Sequence, residues 1–308
     1  MENNKKRILV MMSTYNGEKY IKEQIESILC QKTDYQIVLR IRDDGSKDKT
    51  CDVIEEYVNK YPSKVELIKG KNIGYNASFF YLINTADGFD FYSISDQDDV
   101  WMEDKLQIAC ESIQKVKKDI PILYASTSYL VHNDLIPYGT TRKKERKFSM
   151  YNTIIQNICP GHTQVMNNKM INLLKKEIDV SRLYVYDSWI TNVANLYGKI
   201  IFDNTPHTYY RQYEGNQLGS GVGKIGQFFA SKKRITSGDG MKYRNQIEYF
   251  AELNKTQLVK RGYYDEIYSF INAHRFIDKL RYFVKSKLYR QNRAETIAFQ
   301  LAVLLNKY

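Results

Sequence analysis

The sequence predicts an α/β fold, a mainly parallel sheet with flanking helices, followed by a helical and basic C-terminal region. Three observations predict it. Short apolar runs alternate with segments whose apolar residues recur at helical spacing. Polar clusters follow the runs, as ligand-binding loops do at the carboxyl edge of a parallel sheet. The positive charge gathers at the end of the chain. Of 46 Lys and Arg and 35 Asp and Glu, 17 and 7 lie from Lys224 onward, so the first 223 residues are nearly neutral.

Ile8-Leu9-Val10-Met11-Met12 reads as a buried parallel strand because it is apolar without alternation. It ends in the turn Ser13-Thr14-Tyr15-Asn16-Gly17, after which Ile21, Ile25, Ile28 and Leu29 mark a helix. Ile37–Ile41 is a second strand, closed by Asp43-Asp44-Gly45-Ser46, and a second helix opens at Asp48, Lys49 or Thr50. Val65–Ile68 is a third strand, Asn72-Ile73-Gly74 a loop, and Ala77 to Thr85 a third helix. Phe89 to Ile94 is a fourth strand, running into Ser95-Asp96-Gln97-Asp98-Asp99. Alternation with short turns favours a parallel sheet. The clusters at 13–16, 43–46 and 96–99 are therefore expected to converge on one sheet edge. After Leu123 the pattern loosens. Residues 142–147 read as an exposed or mobile loop, and Gly219–Gly223 as a hinge.

Composition narrows the class. With 43% hydrophobic residues the chain can bury a core. It has no run of about 18 apolar residues, and the apolar stretch after Arg7 is too short for a signal peptide. A cytoplasmic location is expected. Cys30, Cys51, Cys110 and Cys159 are too far apart for a zinc or redox motif and are expected to be reduced and buried.

Three carboxylates within four residues, Asp96, Asp98 and Asp99, repel one another unless compensated. A divalent cation compensates them, since Mg²⁺ takes one or two carboxylates together with phosphate oxygens. The alternative is an acidic loop capping the next helix. Asp43-Asp44 poses the same choice between a hydrogen-bond acceptor for a base or ribose and plain turn chemistry.

These segments resemble a known family. Met12–Glu18, Asp43–Asp48, Asn72–Gly74 and Ser95–Trp101, in this order and at these separations, are similar to the nucleotide-binding half of family 2 glycosyltransferases, which have the GT-A fold. The resemblance implies a GT-A domain over 1–222, with a nucleotide-binding half at about 7–110 and an acceptor half at about 111–222. Residues 223–308 form a helical basic region beyond it. It implies that Ser13, Tyr15, Asp44 and Asp96 bind the donor nucleotide, with Asp44 reading the base. Asp98 becomes the principal ligand of Mn²⁺ or Mg²⁺, aided by Asp96. The family's catalytic base is a carboxylate before a short helix in the second half, and Tyr186-Asp187-Ser188-Trp189 matches that place. Asp187 would deprotonate the acceptor hydroxyl in a single inverting displacement. Arg211, His162, Asn216 and Trp101 are implied at the diphosphate or acceptor.

One departure stands out. The family's Tyr-Arg-Gln-His reads Tyr210-Arg211-Gln212-Tyr213 here, and a phenol is a poor metal ligand near neutral pH. The form Asp96-Gln97-Asp98-Asp99-Val100-Trp101 resembles the rhamnosyltransferase-like branch, which implies a dTDP-rhamnose donor and a bacterial surface polysaccharide product. UDP-hexoses remain open. So do a nucleotidyltransferase making the sugar nucleotide, although its usual basic Gly-rich loop is missing, and a non-catalytic nucleotide-sugar-binding protein.

In the tail, Phe276, Ile277, Leu280, Phe283, Val284 and Leu288 recur at helical spacing between Lys and Arg residues. The expectation is that this stripe packs inward. The charges then face an anionic membrane, the inner face of the cell membrane, carrying a saccharide or lipid-linked acceptor. The charge lies away from the sheet and no nucleic-acid module accompanies it, so no nucleic-acid partner is expected.

Overall fold

The computed structural model describes residues 5–213 and 239–308. Strands β1 (Arg7–Thr14), β2 (Gln36–Asp43), β3 (Val65–Lys69) and β4 (Phe91–Ser95) alternate with helices α1 (Ile21–Leu29), α2 (Thr50–Lys60) and α3 (Tyr75–Asn84). All their pairings are parallel, in the order β3-β2-β1-β4. The parallel expectation holds for this half. Beyond it come β5 (Val100–Trp101), α4 (Lys105–Gln114), β6 (Ile122–Val131), β7 (Pro137–Thr140), α5 (Met150–Thr153), β8 (Val165–Asn167), α6 (Asn168–Leu174), α7 (Tyr186–Tyr197) and β9 (Lys199–Arg211). They extend the sheet as β4-β8-β6-β9-β5, with β7 on β6. Only β6 and β9 pair in parallel there, because β5, β7 and β8 arrive through loops rather than helical crossovers.

Both faces of the first strands are covered, which explains their continuous apolar runs. Ile8, Val10 and Met12 pack on one face with Ile21, Ile25, Ile54 and Leu106. Leu9 and Met11 point the other way, toward Phe79, Phe80, Trp189 and Ile190. That second core continues into the C-terminal helices α8 (Asp239–Leu253), α9 (Lys255–Lys260), α10 (Tyr264–Asn272), α11 (Phe276–Lys285) and α12 (Arg293–Leu304). Ile247, Phe250, Phe270 and Phe299 are buried in it. The expected boundary at 222/223 and the Gly219–Gly223 hinge lie outside the described residues.

Two expectations are corrected and one holds in part. Residues 142–147 form a mostly exposed loop, as expected, but a fastened one. Gln291 Oε1 accepts the backbone N–H groups of Glu145 and Arg146, and Arg142 pairs with Glu295. All four cysteines are free, yet only Cys110 and Cys159 are buried; Cys30 ends α1 at the surface. The stripe on and just past α11 is split: Phe283 and Leu288 pack inward as expected, but its other members face outward. Phe276, Ile277, Leu280 and Val284 are exposed, while Lys279 is buried and donates to Asn306 Oδ1. Helical spacing defines a stripe but not its direction, and here Tyr282 and Phe283 hold the inner side.

Candidate active site

The three polar clusters do meet at the carboxyl ends of β1, β2 and β4. Gln97 bridges two of them: its Oε1 accepts from Thr14 Oγ1 at 2.6 Å and from the Tyr15 N–H at 2.9 Å. Asn16 ties in the third, its N–H donating to Ser46 Oγ and its Oδ1 accepting from the Lys47 N–H, each at 2.9 Å. Asn16 holds a φ of 49°, a left-handed conformation that Asn tolerates better than most residues.

Asp44 is buried and well compensated. Arg42 donates to it at 2.6 Å, and the N–H groups of Ile73 and Gly74 donate at 2.9 Å each. The Asn72-Ile73-Gly74 motif thus serves as a backbone clamp on this carboxylate. Ser78 Oγ links Arg42 to Ser13, accepting from Ser13 Oγ at 2.5 Å and from Arg42 at 3.0 Å. Tyr15, two residues after Ser13, leaves its ring exposed.

The acidic loop is far less compensated. Asp99 is fully buried; its Oδ1 accepts only a long 3.3 Å bond from the Arg211 N–H, and its Oδ2 has no partner. Burial, together with the charges of Asp98 and Asp96, drives its carboxyl well above the ordinary range. Asp98 is raised by the same causes, burial first and then Asp96. Its Oδ2 accepts from the Tyr213 hydroxyl at 2.6 Å. The residue standing where the family has His therefore reaches the expected ligand.

His162 enters this loop from the other half of the sheet. It sits in the single turn Gly161–Thr163 just before β8, stacked on Tyr210 at 4.5 Å. Its Nε2 bonds Ser128 Oγ at 2.9 Å, while Nδ1 lies 3.6 Å from Asp96 Oδ2 and 3.7 Å from Asp99 Oδ2. Ligand atoms of Asp96, Asp99 and His162 all fall within 4.8 Å of one another. One nitrogen and two carboxylate oxygens, one of them orphaned, fit a divalent cation. Sequence reasoning placed His162 at the diphosphate or acceptor and counted Asp99 in the acidic cluster without naming it a ligand.

Asp187 starts α7 beside the same turn. Its Oδ2 accepts from the Gly161 N–H at 3.2 Å and its Oδ1 from the Ser188 N–H at 2.6 Å. Burial is the main cause, with Asp96 adding to it, that pushes its carboxyl up to about 6. Such a group is ionised at neutral pH yet basic enough to take a proton. A Cβ at Gly161 would lie 2.0 Å from the hydroxyl of the buried Tyr186. Only glycine lets α7 stand this close.

Residues 9–174, more than half of the chain, match the family described as Glycosyl transferase family 2. The chain belongs to glycosyltransferase family 2. This glycosyltransferase is 29% identical over 255 residues to the dTDP-rhamnosyl transferase RfbG of Shigella flexneri, covering 78% of this chain and 83% of that protein. It is 27% identical over 199 residues to an uncharacterized glycosyltransferase of Methanocaldococcus jannaschii, covering 64% and 68%. Among solved structures, TarS 1–349 of S. aureus in complex with UDP superposes with a TM-score of 0.58 at 17% identity, over 92% of this chain and 76% of that one. A mannosyltransferase of Pyrobaculum calidifontis in complex with GDP-Man and Mn²⁺ superposes with a TM-score of 0.53 at 15% identity, over 99% and 88%. The fold is GT-A, and the donor is a nucleotide sugar.

The remaining expected residues of this glycosyltransferase sit as supports. Arg211 is buried, and its side chain donates to Asp98 O, Asn133 O and Glu23 Oε2, so it braces the acidic loop from beneath. Trp101 lies in the core with Lys105 Nζ 3.0 Å above its ring. Asn216 lies outside the described residues.

Proposed function

We propose that this glycosyltransferase moves rhamnose from dTDP-rhamnose, with inversion, onto a saccharide or lipid-linked acceptor in bacterial surface polysaccharide synthesis. The observation that carries the donor is the similarity to the rhamnosyl transferase of Shigella across most of both chains. Asp187 carries the stereochemistry. As a carboxylate raised to about 6 beside the acidic loop, it takes the proton from the acceptor hydroxyl while that oxygen attacks the anomeric carbon. One displacement inverts the configuration.

Asp44, held by Arg42 and the Ile73 and Gly74 amides, keeps free lone-pair capacity on Oδ2 for a base N–H. The exposed ring of Tyr15, in the turn after β1, offers a stacking surface for the base. Asp96, Asp99 and His162, with Asp98 at their edge, would hold Mn²⁺ or Mg²⁺. When bound there, the cation neutralises charge on the departing diphosphate. An anionic membrane surface is where a lipid-linked acceptor would be met.

The test is a turnover and thermal-shift panel of dTDP-rhamnose, UDP-glucose and UDP-N-acetylglucosamine, each with Mn²⁺ or EDTA. The expected outcome is the largest stabilisation and turnover with dTDP-rhamnose plus Mn²⁺, with loss in EDTA that added metal restores. Preference for a UDP sugar would overturn the donor, and full activity in EDTA would overturn the metal.

A further inference from the structure

Helices α11 and α12 lie side by side, with Phe283 and Phe299 in edge contact at 6.3 Å and Lys279 reaching Asn306 at the end of α12. Their inner faces join the core. Their outer faces are apolar. On α11, Phe276, Ile277, Leu280 and Val284 stand on one side of the helix. On and just past α12, Ile297, Leu301 and Leu305 do the same at a spacing of four. All seven are between 43% and 80% exposed. Contiguous exposed apolar surface of this kind marks an interaction site.

The surrounding charge is one-sided. Arg275, Arg281, Lys285, Lys287, Arg293 and Lys307 are all exposed on this pair of helices and its connections. The acids do not balance them. Asp278 faces Arg275 at 4.0 Å, and Glu295 is turned inward to Arg142 and Gln156. A second copy docked face to face would bring these cations against one another, since a twofold interface pairs a patch with itself. Anionic lipid satisfies both features at once, taking the apolar stripe at the headgroup boundary and the cations against its phosphates. Among the described residues no helix is long and apolar enough to cross a membrane, so the contact is superficial.

We propose that the outer face of α11 and α12 seats this protein on an anionic bilayer by apolar insertion, with the flanking Arg and Lys supplying lipid-charge selectivity. This deepens the membrane partner of the proposed function and does not depend on which sugar is donated. The experiment is flotation of the full chain with vesicles of phosphatidylcholine containing about one third phosphatidylglycerol, and with phosphatidylcholine alone. The wild type is expected to float with the anionic vesicles and scarcely with the neutral ones. Leu280→Ser with Val284→Ser should weaken binding at least tenfold. Arg281→Glu with Lys285→Glu should remove the preference for anionic lipid. Both double variants should melt near the wild type, because the altered side chains are exposed. A wild type that stays unbound, or a serine variant that floats equally well, overturns the proposal. So does a stable dimer in solution that the serine variant dissolves. Donor turnover measured without vesicles separates the two readings: a protein that floats but turns over no donor supports the docking face and sinks the enzymatic reading alone.

Discussion

Two acidic loops end the strands on either side of β1, and the protein treats them oppositely. Asp43 and Asp44 are compensated by protein groups. Asp43 takes the Gly45 and Ser46 amides and the Ser46 hydroxyl, and Asp44 takes Arg42 and two further amides. Asp96, Asp98 and Asp99 receive a phenol, one long amide bond and an imidazole beyond hydrogen-bond distance. Buried charge left in this state is costly. A chain that satisfies one acid cluster so fully and starves the next has built the first as a finished recognition surface. The second is left with acceptors that a cation would satisfy.

The contrast can be broken or sharpened by substitution, and the largest effect is expected on the starved side. Asp187→Asn should cut transfer by about 10²- to 10⁴-fold, with donor binding by calorimetry nearly intact. The wild-type rate should show an acidic limb near pH 6, because protonating Asp187 removes the base. A flat profile between pH 5 and pH 8 would assign the proton to another group. Next comes the compensated side. Arg42→Ala leaves Asp44 buried without its cation and should cost about 3–5 kcal/mol in denaturant unfolding; an unchanged midpoint would mean that the amides suffice. Asp99→Asn should act in the opposite sense. Without metal it removes a buried acid crowded by Asp98 and Asp96 and should raise the melting temperature by about 2 °C or more. With Mn²⁺ added, the wild type should gain and the variant should not. The smallest effect belongs to Tyr213→Phe. Freeing Asp98 of its phenol should tighten Mn²⁺ binding by roughly three- to tenfold, as read by paramagnetic titration. Unchanged affinity would leave Asp98 outside the coordination sphere.

The same contrast runs through what could be read from the residues. The compensated half was legible because its structure is local: β1 to β4 follow apolar runs, their polar ends sit at strand termini, and Asp44 meets donors supplied by a short motif. The starved loop was legible only as a cluster. His162 reaches it from more than sixty residues away, through a single turn that no periodicity announces. Its place after Cys159-Pro160-Gly161, a forced turn before a short strand, was the available signal. Arg211 read as a phosphate ligand from its motif, yet its burial spends it on Asp98, Asn133 and Glu23. The outward part of the stripe on α11 was missed for a related reason. Helical spacing records that a face is apolar, and only the packing of Lys279, Tyr282 and Phe283 against neighbouring helices decides where it points.

Gly161 sets how closely the start of α7 approaches the turn that carries His162. The missing methyl there lets the Tyr186 hydroxyl occupy the space where a Cβ would stand, and the Gly161 amide holds Asp187 through the same approach. Any side chain at position 161 would therefore push Tyr186 and the start of α7 away from the turn that carries His162.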